Sequence, residues 1–135
     1  MKKHLLMLAL ASTCFMATQA GAMTKDEYKA GKDKIEADYK AAKAQCDALK
    51  DNAKDVCEKE AKGKENVAKA ELEQQYKPSD AHARKVAEEK VKATYEVAKE
   101  KCDDQAGDAK AACVKQAKAD ETQAKADIKA TKKSM

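Results

Sequence analysis

Apolar side chains recur in alternating steps of three and four residues, which is typical of a narrow, coiled-coil-like helical seam. Most of the intervening residues are alanine, lysine and glutamate, which favour a helical backbone. The sequence therefore predicts an all-α protein. The first stretch of seam consists of Tyr28, Ile35, Ala42 and Leu49 on one heptad position, with Tyr39 and Cys46 on the complementary one.

Three interruptions divide this pattern into four helices. The only proline, Pro78, prevents a continuous helical hydrogen-bond ladder, and Ser79 or Asp80 can cap the helix that follows. The other interruptions are Asp51-Asn52, where Asn52 is a candidate N-cap, and Gly107-Asp108, a helix-stopping glycine before a capping aspartate. The predicted helices span residues 24–50, 53–77, 80–106 and 109–132, each about 37 Å long at 1.5 Å per residue. Thr24 and Glu27 match a capping box at the start of the first helix.

The chain also contains an internal duplication, because residues 34–72 align without a gap with residues 90–128. Cys46 aligns with Cys102 and Cys57 with Cys113, so each unit carries the same Cys-x10-Cys element. Such self-similarity indicates repeated supersecondary units. We expect two helical hairpins, residues 23–77 and 81–135, joined by a turn at 78–80 in a four-helix up-down or extended coiled-coil-like arrangement.

Residues 1–22 have the features of a secretory signal peptide. Lys2 and Lys3 precede an apolar run and a small-residue cleavage site ending at Ala22. The apolar run is about 13 residues, shorter than the roughly 20 that span a membrane. We therefore expect cleavage near Met23, export to the periplasm or beyond, and no stable membrane span in the mature chain.

Charge and composition limit the classes of partner. Loss of Lys2 and Lys3 with the signal leaves 26 basic residues against 24 acidic ones, a net charge of +2. Aromatic residues, 4% of the chain, are not interleaved with a basic patch. A near-neutral chain of this kind is not expected to bind nucleic acid.

Four cysteines remain once Cys14 leaves with the signal, and an even number in an oxidising compartment predicts disulfides. Within one continuous helix Cys46 and Cys57 would lie about 16 Å apart, far beyond bridging distance. A turn between them permits the local bridges Cys46 to Cys57 and Cys102 to Cys113, which we favour. A long hairpin turning at Pro78 would instead join Cys46 to Cys113 and Cys57 to Cys102, and this alternative stays open.

No set of residues predicts catalysis, and no cofactor or metal is expected. His82 is expected to be a solvated surface residue, and no serine or cysteine has an identifiable base partner. The four thiolates could in principle hold a metal, but structural zinc sites usually place two ligands within a few residues of each other. The sequence therefore predicts a protein that is not an enzyme.

The signal peptide, the Ala/Lys/Glu helices and the elements CDALKDNAKDVC and CDDQAGDAKAAC resemble small exported helical proteins of proteobacteria. Some of these are labelled TolA-like or cell envelope biogenesis proteins. The composition is similar to the helical middle region of TolA, although we expect no counterpart of the retained membrane anchor or the C-terminal globular domain of TolA. The resemblance implies the periplasm of a Gram-negative cell and an envelope role.

Two functional hypotheses follow from these features. The first is a structural or protein-interaction protein of the periplasm, which associates with a protein partner or with itself. The second is a thiol-based metal-handling or redox-responsive protein, in which the cysteines act chemically. The second hypothesis requires free or labile thiols at Cys46, Cys57, Cys102 and Cys113.

Overall fold

The computed structural model describes residues 22–133, and within them the protein is all-α, as predicted. All but the last residue of the predicted signal peptide lies outside this range. The four long helices contain 22, 26, 22 and 27 residues, so their lengths are less equal than expected. They are α1 (Lys25–Cys46), α2 (Asp51–Tyr76), α3 (Asp80–Lys101) and α4 (Gly107–Lys133), with a short 3-10 turn at Cys102–Asp104.

Side chains predicted as caps begin two of the helices. The Thr24 hydroxyl accepts from the Glu27 amide at 3.2 Å, and the Thr24 amide donates to the Glu27 carboxylate at 2.7 Å. This reciprocal pair is the predicted capping box. At α3, the Ser79 hydroxyl accepts from the His82 amide at 3.0 Å.

The first and third helices end earlier than predicted, at Cys46 and Lys101. Alanine-rich sequence would allow them to continue, but each disulfide requires the chain to reverse between its two cysteines. The Cα atoms of Cys46 and Cys57 lie 5.5 Å apart. Leu49 consequently lies beyond the end of α1 and is 42% exposed, so its assignment to the seam was wrong.

The predicted cap at Asn52 was also wrong. Lys50 occupies the N-cap of α2 without a side-chain cap, and Asp51 has a φ of 51°. The Asn52 side-chain amide instead donates to the backbone carbonyl of Glu100 at 3.0 Å. This bond joins the start of α2 to the end of α3.

The helices pack in the order of the sequence, with α2 and α3 at the centre. Contacts are extensive between α1 and α2, α2 and α3, and α3 and α4, whereas α1 and α4 make no comparable contact over the described range. The arrangement is thus an open up-down row of helices. Its core is thin, because within residues 22–131 the buried apolar residues are Cys46, Ala61, Ala70, Leu72, Cys102 and Ala117.

The two central helices come into close contact at Gly63. A Cβ atom built on Gly63 would lie 2.8 Å from the Cβ of Ala93 in α3. At that distance even a methyl group requires movement of the backbone, so glycine is needed for this contact.

Among the helices described for residues 22–133, none combines the length and the apolar character that a membrane span requires.

Candidate interaction groove

A groove of about 820 Å³ runs between α2 and α3, open to solvent along its length. We call it the central groove. Each helix contributes residues at one repeated spacing (i, i+3, i+4, i+7, i+8 and i+11), which places them on one face of a helix. The lining residues are Glu60, Gly63, Lys64, Val67, Ala68 and Glu71 from α2 and Lys90, Ala93, Thr94, Val97, Ala98 and Lys101 from α3.

The floor of the central groove is apolar and its ends are charged. Val67 and Val97 are its largest apolar side chains, and both remain half-exposed. Ion pairs connect the two walls near the ends, with Lys101 Nζ 3.5 Å from Glu60 and Lys90 Nζ 2.7 Å from Glu71. Both carboxylates belong to α2 and both ammonium groups to α3.

The internal duplication allows the apolar groove residues of α2 and α3 to be compared with their repeat equivalents in the outer helices α4 and α1. Val67 of α2 aligns with Gln123 of α4, and Val97 of α3 aligns with Ala41 of α1. Gln123 donates to Asp127 at 2.9 Å on the helix surface, and Ala41 is exposed. The repeated fold therefore does not require valine at these positions, and the valines occur only where they line the groove.

Two further ion pairs hold α2 against α3 outside the groove. Lys85 Nζ lies 3.1 Å from Glu73, and Lys59 Nζ lies 3.8 Å from Glu96. All four residues are partly exposed, so each pair contributes at most about 1 kcal/mol. Together with the Asn52 bond, they fix the register of the central pair.

A second feature, which we call the glutamate clusters, occurs once in each repeat. In the first cluster, Glu65 is only 7% exposed and accepts from Lys62 at 2.7 Å and from Lys69 at 2.6 Å. The Lys62 ammonium also lies 5.2 Å from the centroid of the Tyr39 ring in α1. This cation–π contact connects the outer helix to its neighbour.

The second cluster reproduces the first between α3 and α4. Glu121 is 7% exposed and accepts from Lys118 at 2.7 Å and from Lys125 at 2.6 Å. Lys118 lies 5.1 Å from the centroid of the Tyr95 ring. The burial of these glutamates does not follow from helix periodicity. The shared spacing Lys-x2-Glu-x3-Lys, present in both repeats, was the available signal.

The pKa of each buried glutamate lies below its ordinary value. Burial acts to raise the pKa of Glu65, but hydrogen bonds from Lys62 and Lys69 outweigh it. For Glu121, hydrogen bonds from Lys118 and Lys125 lower the pKa. Each cluster sets one buried carboxylate between two ammonium groups, and the clusters attach α1 and α4 to the central pair.

The structure joins Cys46 to Cys57 and Cys102 to Cys113, which is the local pairing that we favoured. Because neighbouring helices run in opposite directions, the α1–α2 and α3–α4 turns lie at the same end of the helices along their axes. Both bridges are therefore at that end. Cys46 and Cys102 are fully buried. Bridging leaves none of the four as a free thiol, and the part of the chain described here contains no group of side chains arranged to hold a metal.

His82, expected on the solvated surface, lies in the first turn of α3. Its Nδ1 atom is 2.6 Å from the backbone carbonyl of Lys77, so the ring contacts the Pro78 turn. Tyr28 and Tyr39, predicted to lie on the seam, are half-buried, as are Tyr76 and Tyr95. Tyr28 and Tyr76 stack with their ring centroids 4.4 Å apart, joining α1 to α2.

No known protein family, curated protein or solved structure matches this chain. Its architecture is that of a small all-helical protein with two Cys-x10-Cys disulfides. Those disulfides suit an oxidising, extracytoplasmic location.

Proposed function

We propose that this protein is a non-enzymatic structural or interaction protein of the bacterial periplasm, associated with the cell envelope, and that the central groove contacts a helical protein segment. The observation that supports the proposal is the concave apolar floor, where Val67 and Val97 stay half-exposed between charged ends. Proteins commonly bind an amphipathic helix in such a groove.

The dimensions and residue types of the groove suit a helix. Its walls run for twelve residues on each side, from Glu60 to Glu71 and from Lys90 to Lys101, or about 16 Å along the helix axes. Three turns of a partner helix cover this length. The small residues Gly63, Ala68, Ala93 and Ala98 let a partner backbone come close, while the charged ends restrict its register.

Photo-crosslinking in intact cells tests this function with a matched control. A photoreactive amino acid replaces Val97 in the groove or, as the control, its repeat equivalent Ala41, which is exposed on α1. We expect ultraviolet light to join position 97, and not position 41, to a helical peptide of one defined protein. Equal labelling from both positions, or no product from position 97, would contradict the proposal.

The thiol-based hypothesis is separated from this one by the state of the cysteines in cells. Periplasmic protein is treated with an alkylating reagent at harvest and analysed by mass spectrometry. If Cys57 and Cys113 acquire the reagent in a large fraction of molecules, the bridges are labile and the redox-responsive alternative takes precedence. Fully bridged, unlabelled protein favours the structural role.

A further inference from the structure

The charges at the ends of the central groove form a pattern that is complementary to itself. The ion pairs place Glu60 at the level of Lys101 and Glu71 at the level of Lys90. The α2 wall therefore carries Glu60 and Glu71, with Lys64 between them, whereas the α3 wall carries Lys90 and Lys101. The two carboxylates, like the two ammonium groups of α3, are about 16 Å apart along their helix. A surface of this kind can pair with a rotated copy of itself.

We propose that a second copy of this chain occupies the central groove, forming a two-fold dimer whose axis runs along the groove. Rotation about that axis lays α2 of the second copy over α3 of the first. Because the axis is parallel to the helices, each residue keeps its position along the helix axis. Glu60 of the second copy then lies above Lys101, and its Glu71 above Lys90. Each ammonium group faces a carboxylate from both chains.

The charges also exclude the other face-to-face arrangement. An axis running across the groove would lay α2 over α2 in the opposite direction, which brings Glu60 against Glu71 and Lys90 against Lys101. Like charges in direct contact are unfavourable and act against a wrong register. The pattern therefore selects one of the two symmetric dimers.

The apolar floor supplies the centre of this interface. Val67 and Val97 from each copy become covered, with Ala68 and Ala98 beside them, so the two central pairs complete an antiparallel four-helix arrangement. A single foreign helix would have to match the carboxylates of one wall and the ammonium groups of the other with one face. A second copy matches both walls at once.

This inference rests on the proposed role of the groove as a contact surface, and the mass of the protein purified from the periplasm tests it. We expect light scattering to give twice the chain mass as concentration rises. The double substitution E60K/E71K should weaken association about tenfold or more, because it replaces attraction by repulsion at four intermolecular contacts.

A matched control removes the same number of ion pairs outside the groove. E73K/E96K reverses Glu73 and Glu96, which pair with Lys85 and Lys59 between the same two helices. This variant should dimerise like the unaltered protein, and circular dichroism checks that both variants are folded. Adding K90E and K101E to E60K/E71K restores opposite charges on the two walls and should restore dimerisation.

Isotope mixing tests whether the two-fold axis of the dimer runs along the groove or across it. Equal amounts of unlabelled and nitrogen-15-labelled protein are mixed and treated with a carbodiimide, which joins a carboxylate to an amine. We expect crosslinked peptides containing one light and one heavy chain, joining Glu60 to Lys101 and Glu71 to Lys90. Mixed-label peptides joining Glu60 to Lys90 would overturn the proposed axis.

A monomer at every concentration overturns the dimer, as does a dimer that E60K/E71K leaves equally tight. If the protein is monomeric while position 97 still crosslinks to one helical envelope protein, the second copy is the wrong occupant and the proposed function stands. If neither self-association nor a specific product from position 97 is found, both proposals fail.

Discussion

At the scale of single residues, the two repeats use different residues for the same backbone conformation. Asp51 has a φ of 51° and its repeat equivalent, Gly107, has a φ of 56°. The left-handed region is readily adopted by glycine but costs other residues roughly 1–2 kcal/mol. The first repeat therefore carries local strain that the second avoids.

Exchanging the residue types should reveal this strain. Asp51→Gly relieves roughly 1 kcal/mol of backbone strain but loses a favourable negative charge at the start of α2. We therefore expect the free energy of unfolding to rise by about 0.5 kcal/mol. Gly107→Ala should lower the free energy of unfolding by about 1 kcal/mol, since a methyl group there meets no neighbour and only the backbone is strained. Urea unfolding of both variants measures the differences. Equal stability of the two variants would contradict the explanation.

The two buried glutamates predict how stability depends on pH. Their pKa values are lowered in the folded protein from an ordinary value of 4.5, so their stabilising effect is present above that pH and is lost as the pH falls below it. We expect the melting temperature of E65Q/E121Q to fall less between pH 6 and pH 3 than that of the unaltered protein.

The substitution E88Q, at an exposed position of α3, serves as the control. It should leave the acid-dependent fall in melting temperature close to that of the unaltered protein. An unchanged fall in E65Q/E121Q would show that other carboxylates govern acid unfolding.

At the scale of helices, the central pair depends on close approach more than on large apolar side chains. Gly63 lies against Ala93, and four ion pairs connect α2 with α3. The outer helices use aromatic contacts and the glutamate clusters instead. The two outer contacts thus share one kind of interaction, as expected for repeats, whereas the central contact depends on another.

Gly63→Ala should separate the central helices. Alanine favours a helix by about 1 kcal/mol over glycine, but a Cβ 2.8 Å from that of Ala93 forces the backbones apart at a cost of about 1–3 kcal/mol. We expect a net loss of about 1 kcal/mol in the free energy of unfolding, recovered in part by adding Ala93→Gly.

Gly31→Ala is the matched comparison. Its new methyl group would meet the end of the Leu72 side chain, which can move more easily than a backbone. This variant should therefore be close to neutral in urea unfolding. A larger loss at Gly31 than at Gly63 would contradict the importance of the α2–α3 approach.

At the scale of the whole molecule, the outer helices are held less securely than the central ones. α1 packs mainly on α2, and α4 packs mainly on α3. Each disulfide attaches one outer helix to its neighbour, and both disulfides are at the same end of the helices along their axes. Each bridge closes a short loop and contributes roughly 3 kcal/mol by restricting the unfolded chain. That is a large share of the stability of a typical domain.

Replacing the four cysteines by serine should separate helicity from tertiary stability. We expect a clearly lower melting temperature with most of the far-ultraviolet helical signal retained at low temperature, because alanine-driven helix propensity is local. Hydrogen exchange should increase more in α1 and α4 than in α2 and α3. A uniform increase across the four helices would contradict the description as an open row.

Sequence alone determined the features that depend on neighbouring residues. Helix content follows from alanine and lysine, the first helix start from Thr24 and Glu27, and the middle turn from Pro78. The duplication favoured bridges between cysteines 11 residues apart but left the cross-repeat pairing open, and the structure decided for the local bridges. Propensities and caps act within one or two turns, so they can be recognised without the fold.

Only the tertiary structure decided what each helix faces. The periodicity of Glu65 and Glu121 gave no sign that these glutamates are buried, because their burial depends on an adjacent helix supplying Tyr39 or Tyr95. Likewise, the valine at position 67 becomes part of a groove because α3 places Val97 across from it. Burial and concavity depend on distances between segments far apart in sequence, whereas helix propensity depends on neighbours in the chain.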